Sequence, residues 1–420
     1  MTARISLMAA MLTAILLSCD TDINVAPVYE TYFTKYYGED GNQSGVDLAV
    51  GDDGTMVMVG TSQSQTNPIT RTFIVKVDPH GTVLWERQMA GDNEVPVDVE
   101  LDSRNDILVV SNVSATGSGS IPRASIRLTR ISQSGTGIDS LIITDDVTKA
   151  ELFGTAVTEI TDGSLIVTGY AGPGLVEDQN LLRTDAQDLM IIKVDPNFAL
   201  APELEAGQGG EHIGNIVKLF ESQGSVPQRF YTLGDSDRPF RGEGFKQAFE
   251  VLQWNEFFVS APTGVAPSGD AQSSSEAVVM PIGLQRGYVL VGSTGQDVFK
   301  QIFMTQYIDG QSDLSIRFSK VIPTPRSAEG VSVAYSDEGS MFVLADELQD
   351  NNNHDIYLVK LGSDGAKEGE MRFGSIEGDD QAAAVRVLPD HRVAVFGTIE
   401  LETQKKMMLT LVSPTGTFSE

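Results

Sequence analysis

The sequence predicts an all-β fold, a seven-bladed β-propeller closed by an N-terminal strand. An apolar run that ends on a small residue recurs seven times, at a spacing of about 50 to 65 residues. Each repeat carries four short apolar runs separated by turn residues, and no helical periodicity interrupts them. Four short strands in each repeat are what a propeller blade requires, whereas a β-sandwich does not repeat its whole pattern seven times.

The second strand of each repeat is the clearest signal. In the first repeat it runs from Met56 to Val59, between a Gly-containing turn and Gly60. The same run recurs at Ile107, Leu165 and Phe230 and again in the three later repeats. The small residues that end the seven runs are Gly60, Ser111, Gly169, Gly234, Gly292, Ala345 and Gly397.

The third strand is followed by a hairpin turn. FIVKVDPHG from Phe73 shows the pattern best, and related runs begin at Leu189, Ile356 and Leu409. Pro presets one turn dihedral and Gly tolerates the positive one, so these residues predict tight turns. More divergent copies begin at Ile126 and Phe303, and in the fourth repeat we place the hairpin near Trp254 and Asn255.

The two ends of the chain predict how the ring closes. The seventh repeat runs out at Glu420, where its outer strand should be, while VYETYFTKYYG from Val28 to Gly38 belongs to no other repeat. Pairing this segment with the last blade would remove an exposed sheet edge. The alternative is a frayed terminal strand.

The first residues predict a processed and lipidated N-terminus. Arg4 and the apolar run from Ile5 to Leu17 are typical of a signal peptide, and Leu16–Cys19 resembles a bacterial lipobox. That resemblance implies a signal peptide over 1–18, lipid on Cys19, a tether over 19–27 and a single propeller domain over 28–420. The alternative is an ordinary secretory signal with an incidental Cys.

The lipobox resemblance also predicts a location. Acyl chains on Cys19 would hold the protein to a membrane of the cell envelope without crossing it, and we expect the outer membrane. Asp20 resembles an inner-membrane retention signal of enterobacteria, whereas acidic residues after the lipidated Cys resemble a surface-export signal of Bacteroidota. Which side of the membrane the protein faces stays open.

The composition narrows the partners. Lys and Arg number 29 against 58 Asp and Glu, a net charge of −29, and such a field repels nucleic-acid phosphates. We therefore expect no nucleic-acid partner. The chain has one Cys, so it forms no intramolecular disulfide.

The outer strand of the first repeat carries a Trp after a Gly-containing turn, in Gly81–Trp85. The repeats from Val28 to Glu420 thereby resemble the blades of PQQ-type and related lipoprotein propellers. Quinoprotein enzymes keep such a Trp in most blades, whereas this chain has only Trp85 and Trp254, so we expect no quinone cofactor. Trp85 is interpreted as a residue that packs one blade against the next.

Acidic residues stand just before the first strand of each repeat, and further acids follow the second strands. In a propeller both sets of loops share one face, so that face should be strongly acidic and attract cations or a basic partner. The alternative is a set of solvated acids with no partner. The residues we select as a partner-binding set are Glu276, Glu329, Asp379 and Asp380.

A run of oxygen-bearing side chains in the sixth repeat is a candidate calcium site. Asp350, Asn352 and Asp355 supply the hard oxygen ligands that calcium prefers, but the Gly and distal Glu of an EF-hand loop are missing. The alternative is a polar turn, and no other cofactor is expected.

Two function classes remain. No metal triad, phosphate loop or nucleophile motif is present in the sequence, so we expect a non-catalytic lipoprotein that binds an envelope protein with a basic surface. The alternative is a glycan-binding or glycan-processing propeller that uses its acids. Tyr170, Phe240 and Phe245 are the aromatic residues that could stack on sugar in the proposed loops.

Overall fold

The computed structural model describes residues 31–66, 69–91, 93–114, 124–144, 151–172, 175–176, 181–182, 188–205, 213–222, 228–236, 248–255, 260–265, 271–282, 285–296, 299–310, 314–375 and 377–415. Every described strand lies within Tyr32–Glu420. The predicted signal peptide, Cys19 and the tether over 19–27 lie outside the described residues.

The described strands form seven four-stranded antiparallel sheets, which are the blades of a β-propeller, and one separate two-stranded sheet. The first described strand, β1 (Phe33–Tyr37), belongs to the last blade. Blade 1 consists of β2 (Asn42–Val50), β3 (Met56–Gln63), β4 (Thr70–Val77) and β5 (Val83–Gln88), and blade 2 of β6 (Glu94–Leu101), β7 (Ile107–Ser114), β8 (Ala124–Ile131) and β9 (Ile138–Ile143). Blade 3 consists of β10 (Leu152–Glu159), β11 (Leu165–Ala171), β14 (Asp188–Val194) and β15 (Leu200–Glu205). Between β11 and β14, the short strands β12 (Leu175–Val176) and β13 (Leu181–Leu182) pair in a separate two-stranded sheet.

The later blades repeat the same order from the inner strand outwards. The third strand of blade 4 ends at Asn255, where the sequence predicts its hairpin. Blade 4 consists of β16 (Ile213–Glu221), β17 (Arg229–Ser236), β18 (Ala248–Asn255) and β19 (Ser260–Val265), and blade 5 of β20 (Gln272–Ile282), β21 (Gln285–Gln296), β22 (Phe299–Asp309) and β23 (Leu314–Ile322). Blade 6 consists of β24 (Ala328–Tyr335), β25 (Met341–Leu348), β26 (His354–Leu361) and β27 (Lys367–Phe373). Blade 7 consists of β28 (Gln381–Val387), β29 (Val393–Leu401) and β30 (Gln404–Val412), and β1 completes it as the outer strand.

The N-terminal strand closes the ring, as the sequence predicts. β1 pairs antiparallel with β30, and Phe33 lies opposite Leu411 while Tyr37 lies opposite Met407. Phe33 and Tyr37 are buried, and the Tyr37 hydroxyl donates a hydrogen bond of 2.8 Å to the carbonyl oxygen of Gly81 in blade 1. Of the predicted segment from Val28 to Gly38, the strand covers Phe33–Tyr37, and Val28–Glu30 lie outside the described residues.

Apolar clusters fill the space between neighbouring blades. Leu48 and Met58 of blade 1, for example, pack in one cluster with Phe396 of blade 7. Each of the other junctions between described blades has a cluster of its own. The middle strands are therefore buried on both faces, which explains why their sequences are runs of apolar residues rather than alternating patterns.

A β-bulge interrupts the inner strand of every blade, and it explains the small residue found within each second strand. In blade 1 the register shifts between Gly45 and Asp47, opposite Gly60. The inner strand approaches so closely there that a Cβ on Gly60 would lie 2.1 Å from the Ser44 carbonyl oxygen. The equivalent Cβ on Gly292 would lie 1.9 Å from the Ser273 carbonyl oxygen. Larger side chains would push the first two strands apart.

The seven inner strands surround a central channel, and β28 of the last blade contacts β2 of the first. We call the upper face the side that carries the connections between blades and the loops between second and third strands. The lower face carries the turns between first and second strands and between third and fourth strands. β1 runs from the lower face at Phe33 to the upper face at Tyr37, antiparallel to β30.

The first prediction concerns closure of the ring. Replacing both Phe33 and Tyr37 with Ala removes the side chains that hold β1 on blades 7 and 1, and each large-to-small change in a core costs about 3 to 5 kcal/mol. We expect a clear fall in melting temperature and aggregation through the exposed edge of β30. Tyr36→Ala is the control, because Tyr36 is about half exposed on the same strand and its loss should change stability little. Equal melting temperatures for the two variants would contradict closure by β1.

Candidate functional site

In four of the seven blades, the residue that follows the bulge accepts a hydrogen bond from the inner strand of the next blade. Asp47 Oδ2 accepts a hydrogen bond of 3.0 Å from the Val99 amide, and Asp98 Oδ2 accepts one of 2.7 Å from the Val157 amide. Glu276 and Ser332 occupy the same position in blades 5 and 6, and they accept bonds of 2.8 Å and 2.9 Å from the amides of the next blades. One position of the repeat therefore links successive inner strands around the channel.

Arg386 joins these bonds into a network that we call the channel clasp, formed by Asp47, Glu276, Ser332 and Arg386. The Nη2 atom of Arg386 lies 2.7 Å from Asp47 Oδ1 and 2.8 Å from Glu276 Oε1. The Ser332 hydroxyl donates a hydrogen bond to the other carboxylate oxygen of Glu276. Arg386 belongs to blade 7, so it bridges blades 1, 5 and 6. Burial disfavours the guanidinium, but Glu276 and Asp47 outweigh it and hold the pKa of Arg386 well above its usual range.

Lys218 occupies the same position in blade 4 and brings a second cation into the channel. Its ammonium pairs with Glu100, and its Nζ lies 3.9 Å from Asp98 Oδ1. Burial raises the pKa of Asp98 to about 8, although Lys218 opposes the rise. Burial also raises the pKa of Glu276, against the attraction of Arg386. The channel thus holds more carboxyl groups than cations among these residues, and this excess favours protonation.

A second set of hydrogen bonds links neighbouring blades, at a level nearer to the upper face. The residue after the small position of the second strand accepts from the backbone amide of the next inner strand. Asn112 Oδ1 accepts 2.8 Å from Gly154, Asp235 Oδ2 accepts 2.6 Å from Ser274, and Asp346 Oδ1 accepts 2.6 Å from Ala382. Between blades 7 and 1, the Thr398 hydroxyl accepts 3.0 Å from the amide of Gly45.

Several acids that the sequence placed in surface loops are structural acceptors instead. Asp235 and Asp346 lie within strands β17 and β25 and make the bonds just described. Glu347 is fully buried, and its carboxylate accepts hydrogen bonds from both Nε and Nη2 of Arg372. Glu94 is buried at the start of β6, where the Thr72 hydroxyl donates to it. Short polar connections bring these carboxylates into the blade junctions, so a large part of the predicted acidic face is internal.

The four residues selected as a partner-binding set divide into two pairs. Glu276 belongs to the channel clasp, and Asp380 is buried and accepts a 2.6 Å bond from the Glu400 amide. Glu329 and Asp379 lie at the upper face with about half and a third of their side chains exposed. Glu329 pairs with Lys300 at 2.8 Å, and Asp379 lies 2.9 Å from Nδ1 of His354. Their role in binding a partner stays a prediction.

Two of the three candidate calcium ligands, Asp350 and Asp355, line a cavity of about 300 Å³ on the upper face, whereas Asn352 does not line it. Asp350 is nearly fully exposed and faces Nη2 of Arg326 at 3.3 Å. Asn352 adopts a positive φ of 65° inside a tight turn closed by its amide and the Gln349 carbonyl. Burial, with the Asp380 carboxylate nearby, raises the pKa of Asp355. Within the described residues, no group of three His, Cys, Asp or Glu is arranged to hold a metal ion.

The aromatic residues highlighted by the sequence have packing roles where they are described. The Trp85 indole donates a 3.0 Å bond to the Gln133 carbonyl in blade 2, which confirms that it packs one blade against the next. Trp254 is buried and donates to the Thr232 hydroxyl. Tyr170 stacks on Phe153 with ring centres 5.0 Å apart. Phe240 and Phe245 lie outside the described residues.

The comparisons with known proteins concern the fold alone. No protein-family model matches the chain, and no curated protein matches it. Among solved structures, it is similar to a Dyadobacter fermentans protein of unknown function, at 9% identity over 90% of this chain and 97% of that one, with a TM-score of 0.47. It is similar to the β-propeller domain of the Trilobed protease from Pyrococcus furiosus at 9% identity over 88% and 95%, with a TM-score of 0.46. A glucose dehydrogenase matches at 12% identity over 91% and 99%, with a TM-score of 0.41.

The propeller assignment rests on the strand order, the seven bulged inner strands and the closing strand β1. Across the ranges that the structure describes, no helix is long and apolar enough to cross a membrane.

The second prediction is a pH dependence of stability that arises from Asp98. Its pKa rises from 3.8 in the unfolded chain to about 8 in the fold, so the folded state holds an extra proton between these values. Stability therefore falls as pH rises from about 4 to about 8, by at most about 1.4 kcal/mol per pH unit for one proton. Asp98→Asn keeps an acceptor for the Val157 amide and should flatten this fall.

Urea unfolding at pH 5 and pH 8 measures the effect. Relative to the parent, Asp98→Asn should gain stability at pH 8. Asp139→Asn, which removes an exposed carboxylate from β9, is the control and should follow the parent at both pH values. If Asp98→Asn and the parent lost the same stability between pH 5 and pH 8, the raised pKa would be wrong.

Proposed function

We propose that this protein is a membrane-anchored lipoprotein of the cell envelope, and that its propeller is a non-catalytic scaffold that binds a partner protein through the upper face. The observation that carries the proposal is that partly exposed acids and exposed apolar side chains lie on the same face, where hydrogen bonds between the blades hold the backbone in place. Phe299 at the start of β22 and Leu401 at the end of β29 are exposed beside the loops between second and third strands, and Glu329 lies on the same face.

Rigidity supports this function. Bonds from Asp47, Asp98 and Ser332 cross the junctions between inner strands, and the bonds from the second strands add to them. Binding surfaces on a rigid frame lose little conformational entropy when a partner docks. The upper loops can thus vary in sequence while the frame keeps them in place.

Charge supports a basic partner. Glu39, Asp40, Glu377 and Glu402 are exposed on the upper face, in addition to Glu329 and Asp379. Complementary charge speeds encounter and selects among partners, and salt screens such exposed charges beyond about 8 Å at physiological ionic strength. The apolar side chains would supply the water-excluding contacts at the centre of the interface.

The eight residues from Asp20 to Pro27 span about 25 to 30 Å when extended, at roughly 3.3 Å per residue. A lipid on Cys19 would therefore hold the protein close to its membrane. Asp20 beside Cys19 resembles a surface-export signal of Bacteroidota, and Trp85 after its Gly-containing turn resembles blades of the PQQ-like type.

The third prediction tests the anchor. Cys19 is the one thiol of the chain, so Cys19→Ser should abolish incorporation of radiolabelled palmitate and release the protein from the membrane fraction. Ser18→Ala keeps a small residue before the Cys and should label like the parent. Labelling that survives in Cys19→Ser would exclude lipid attachment at this position.

The fourth prediction tests the upper face. The double variant Glu329→Gln with Asp379→Asn removes two accessible charges without touching the channel clasp. Affinity purification from detergent-solubilised host membranes should recover a partner with the parent, lose it as NaCl rises, and lose it at lower NaCl with the double variant. Because exposed ion pairs contribute about 0 to 1 kcal/mol each, the melting temperature should change little.

A matched control carries the same chemical changes elsewhere. Asp139→Asn with Glu368→Gln removes two exposed carboxylates from the outer strands β9 and β27, and it should retain the partner at the parent's salt tolerance. The scaffold proposal fails if the upper-face variant recovers every partner at the same NaCl concentration as the parent.

A further inference from the structure

A pocket opens on the lower face, at the mouth of the channel where blades 2 to 5 meet. Its volume is about 650 Å³, within the range of small-molecule sites. The first-to-second-strand turns of blades 2 and 3 form one side, at Ser103 and Thr161, and Arg286 at the start of β21 forms the other. We call it the lower pocket.

Two carboxylates of the lower pocket are held in place by the blades beside them. Glu159 accepts bonds of 2.5 Å and 3.0 Å from the amide and hydroxyl of Ser103. Glu221 accepts bonds of 2.7 Å and 2.9 Å from the amide and hydroxyl of Thr161. Each acid is the last residue of an inner strand, Glu159 of β10 in blade 3 and Glu221 of β16 in blade 4. The two acids therefore occupy the same position of the repeat. Their orientation is fixed before any ligand arrives.

Planar polar groups complete the wall. Arg286 donates from Nη1 to the Glu221 carbonyl oxygen at 2.8 Å, and its guanidinium lies 5.6 Å from the ring centre of Tyr288. Gln228 donates its amide to the Glu221 carboxylate. Each carboxylate oxygen has two lone pairs, so Glu159 and Glu221 can accept further bonds from a ligand, and Arg286 has donors beyond the one used.

We propose that the lower pocket binds a neutral oligosaccharide. Adjacent sugar hydroxyls both donate and accept, and they match a wall that alternates carboxylates with a guanidinium and an amide. Two carboxylates against one guanidinium repel an anionic ligand. Ile160 and Phe220 also line the pocket, but both are buried, so the polar groups supply the contacts with the sugar.

This site goes beyond the scaffold proposed above and is independent of it, since it lies on the opposite face of the ring. It also differs from the sequence-based alternative, which placed glycan contacts among the acids of the upper face. Glu159 and Glu221 were not selected from the sequence, because each stands as a single acid at the end of an apolar strand.

A glycan array that carries neutral and acidic oligosaccharides tests the proposal with the full chain. We expect binding to neutral glycans, and titration calorimetry with the strongest of them should give an affinity that Glu221→Gln lowers at least tenfold. Glu159→Gln is a second variant with the same expectation, in case Glu221→Gln loosens the junction of blades 3 and 4. Melting curves of both variants show whether the fold persists.

Glu368→Gln, which removes an exposed carboxylate from the outer strand β27, is the matched control, and it should bind the same glycan with the parent's affinity. The proposal is overturned if the array shows no neutral glycan bound, or acidic glycans alone. It is also overturned if folded Glu221→Gln and Glu159→Gln both keep the parent's affinity. None of these outcomes alters the partner test of the upper face, so the two proposals stand or fall separately.

Discussion

The ion pair of Arg386 with Asp47 and Glu276 is the interaction on which the ring depends most. Each blade is a separate sheet, so the ring holds together through contacts between blades rather than through a continuous ladder. Apolar clusters supply the bulk of the attraction, but they do not fix the register of one inner strand against the next. In four blades the residue after the bulge bonds to the inner strand of the next blade. Arg386 of blade 7 contacts Asp47, Glu276 and Ser332 of blades 1, 5 and 6.

The same arrangement decides what the acids of this protein can do. A carboxylate that accepts a neighbouring amide, such as Asp98 or Asp380, stabilises a junction and is withdrawn from solvent. Its charge is costly there unless a cation or proton offsets it, which explains the two partly buried cations of the channel, Lys218 and Arg386. The acids that stay exposed at the surface, such as Glu329, contribute little to the stability of the fold. A strongly acidic chain can therefore use part of its charge for assembly and keep the rest for recognition.

The sequence predicts the fold well because the fold rests on local signals that recur. The small residue of the second strand follows from the close approach at the bulge, and the segment that becomes β1 is recognisable as a strand without a partner. The sites are less predictable, because a bulge shifts the side-chain alternation by one residue and the sequence does not mark where it falls. Glu276 was therefore interpreted as a surface acid. A cation in an inner strand of so acidic a protein, Lys218 or Arg386, is the signal that could have revealed the channel network.

Removing the guanidinium of Arg386 while keeping its bulk tests the account most directly. Arg386→Met leaves Asp47 and Glu276 as buried charges without their cation, and urea unfolding at pH 7 should show a loss of about 3 to 5 kcal/mol. Arg104→Met removes a guanidinium that is more than half exposed and should cost less than about 1 kcal/mol. An unfolding free energy for Arg386→Met within about 1 kcal/mol of the parent would contradict the claim that the channel clasp holds the blades in register.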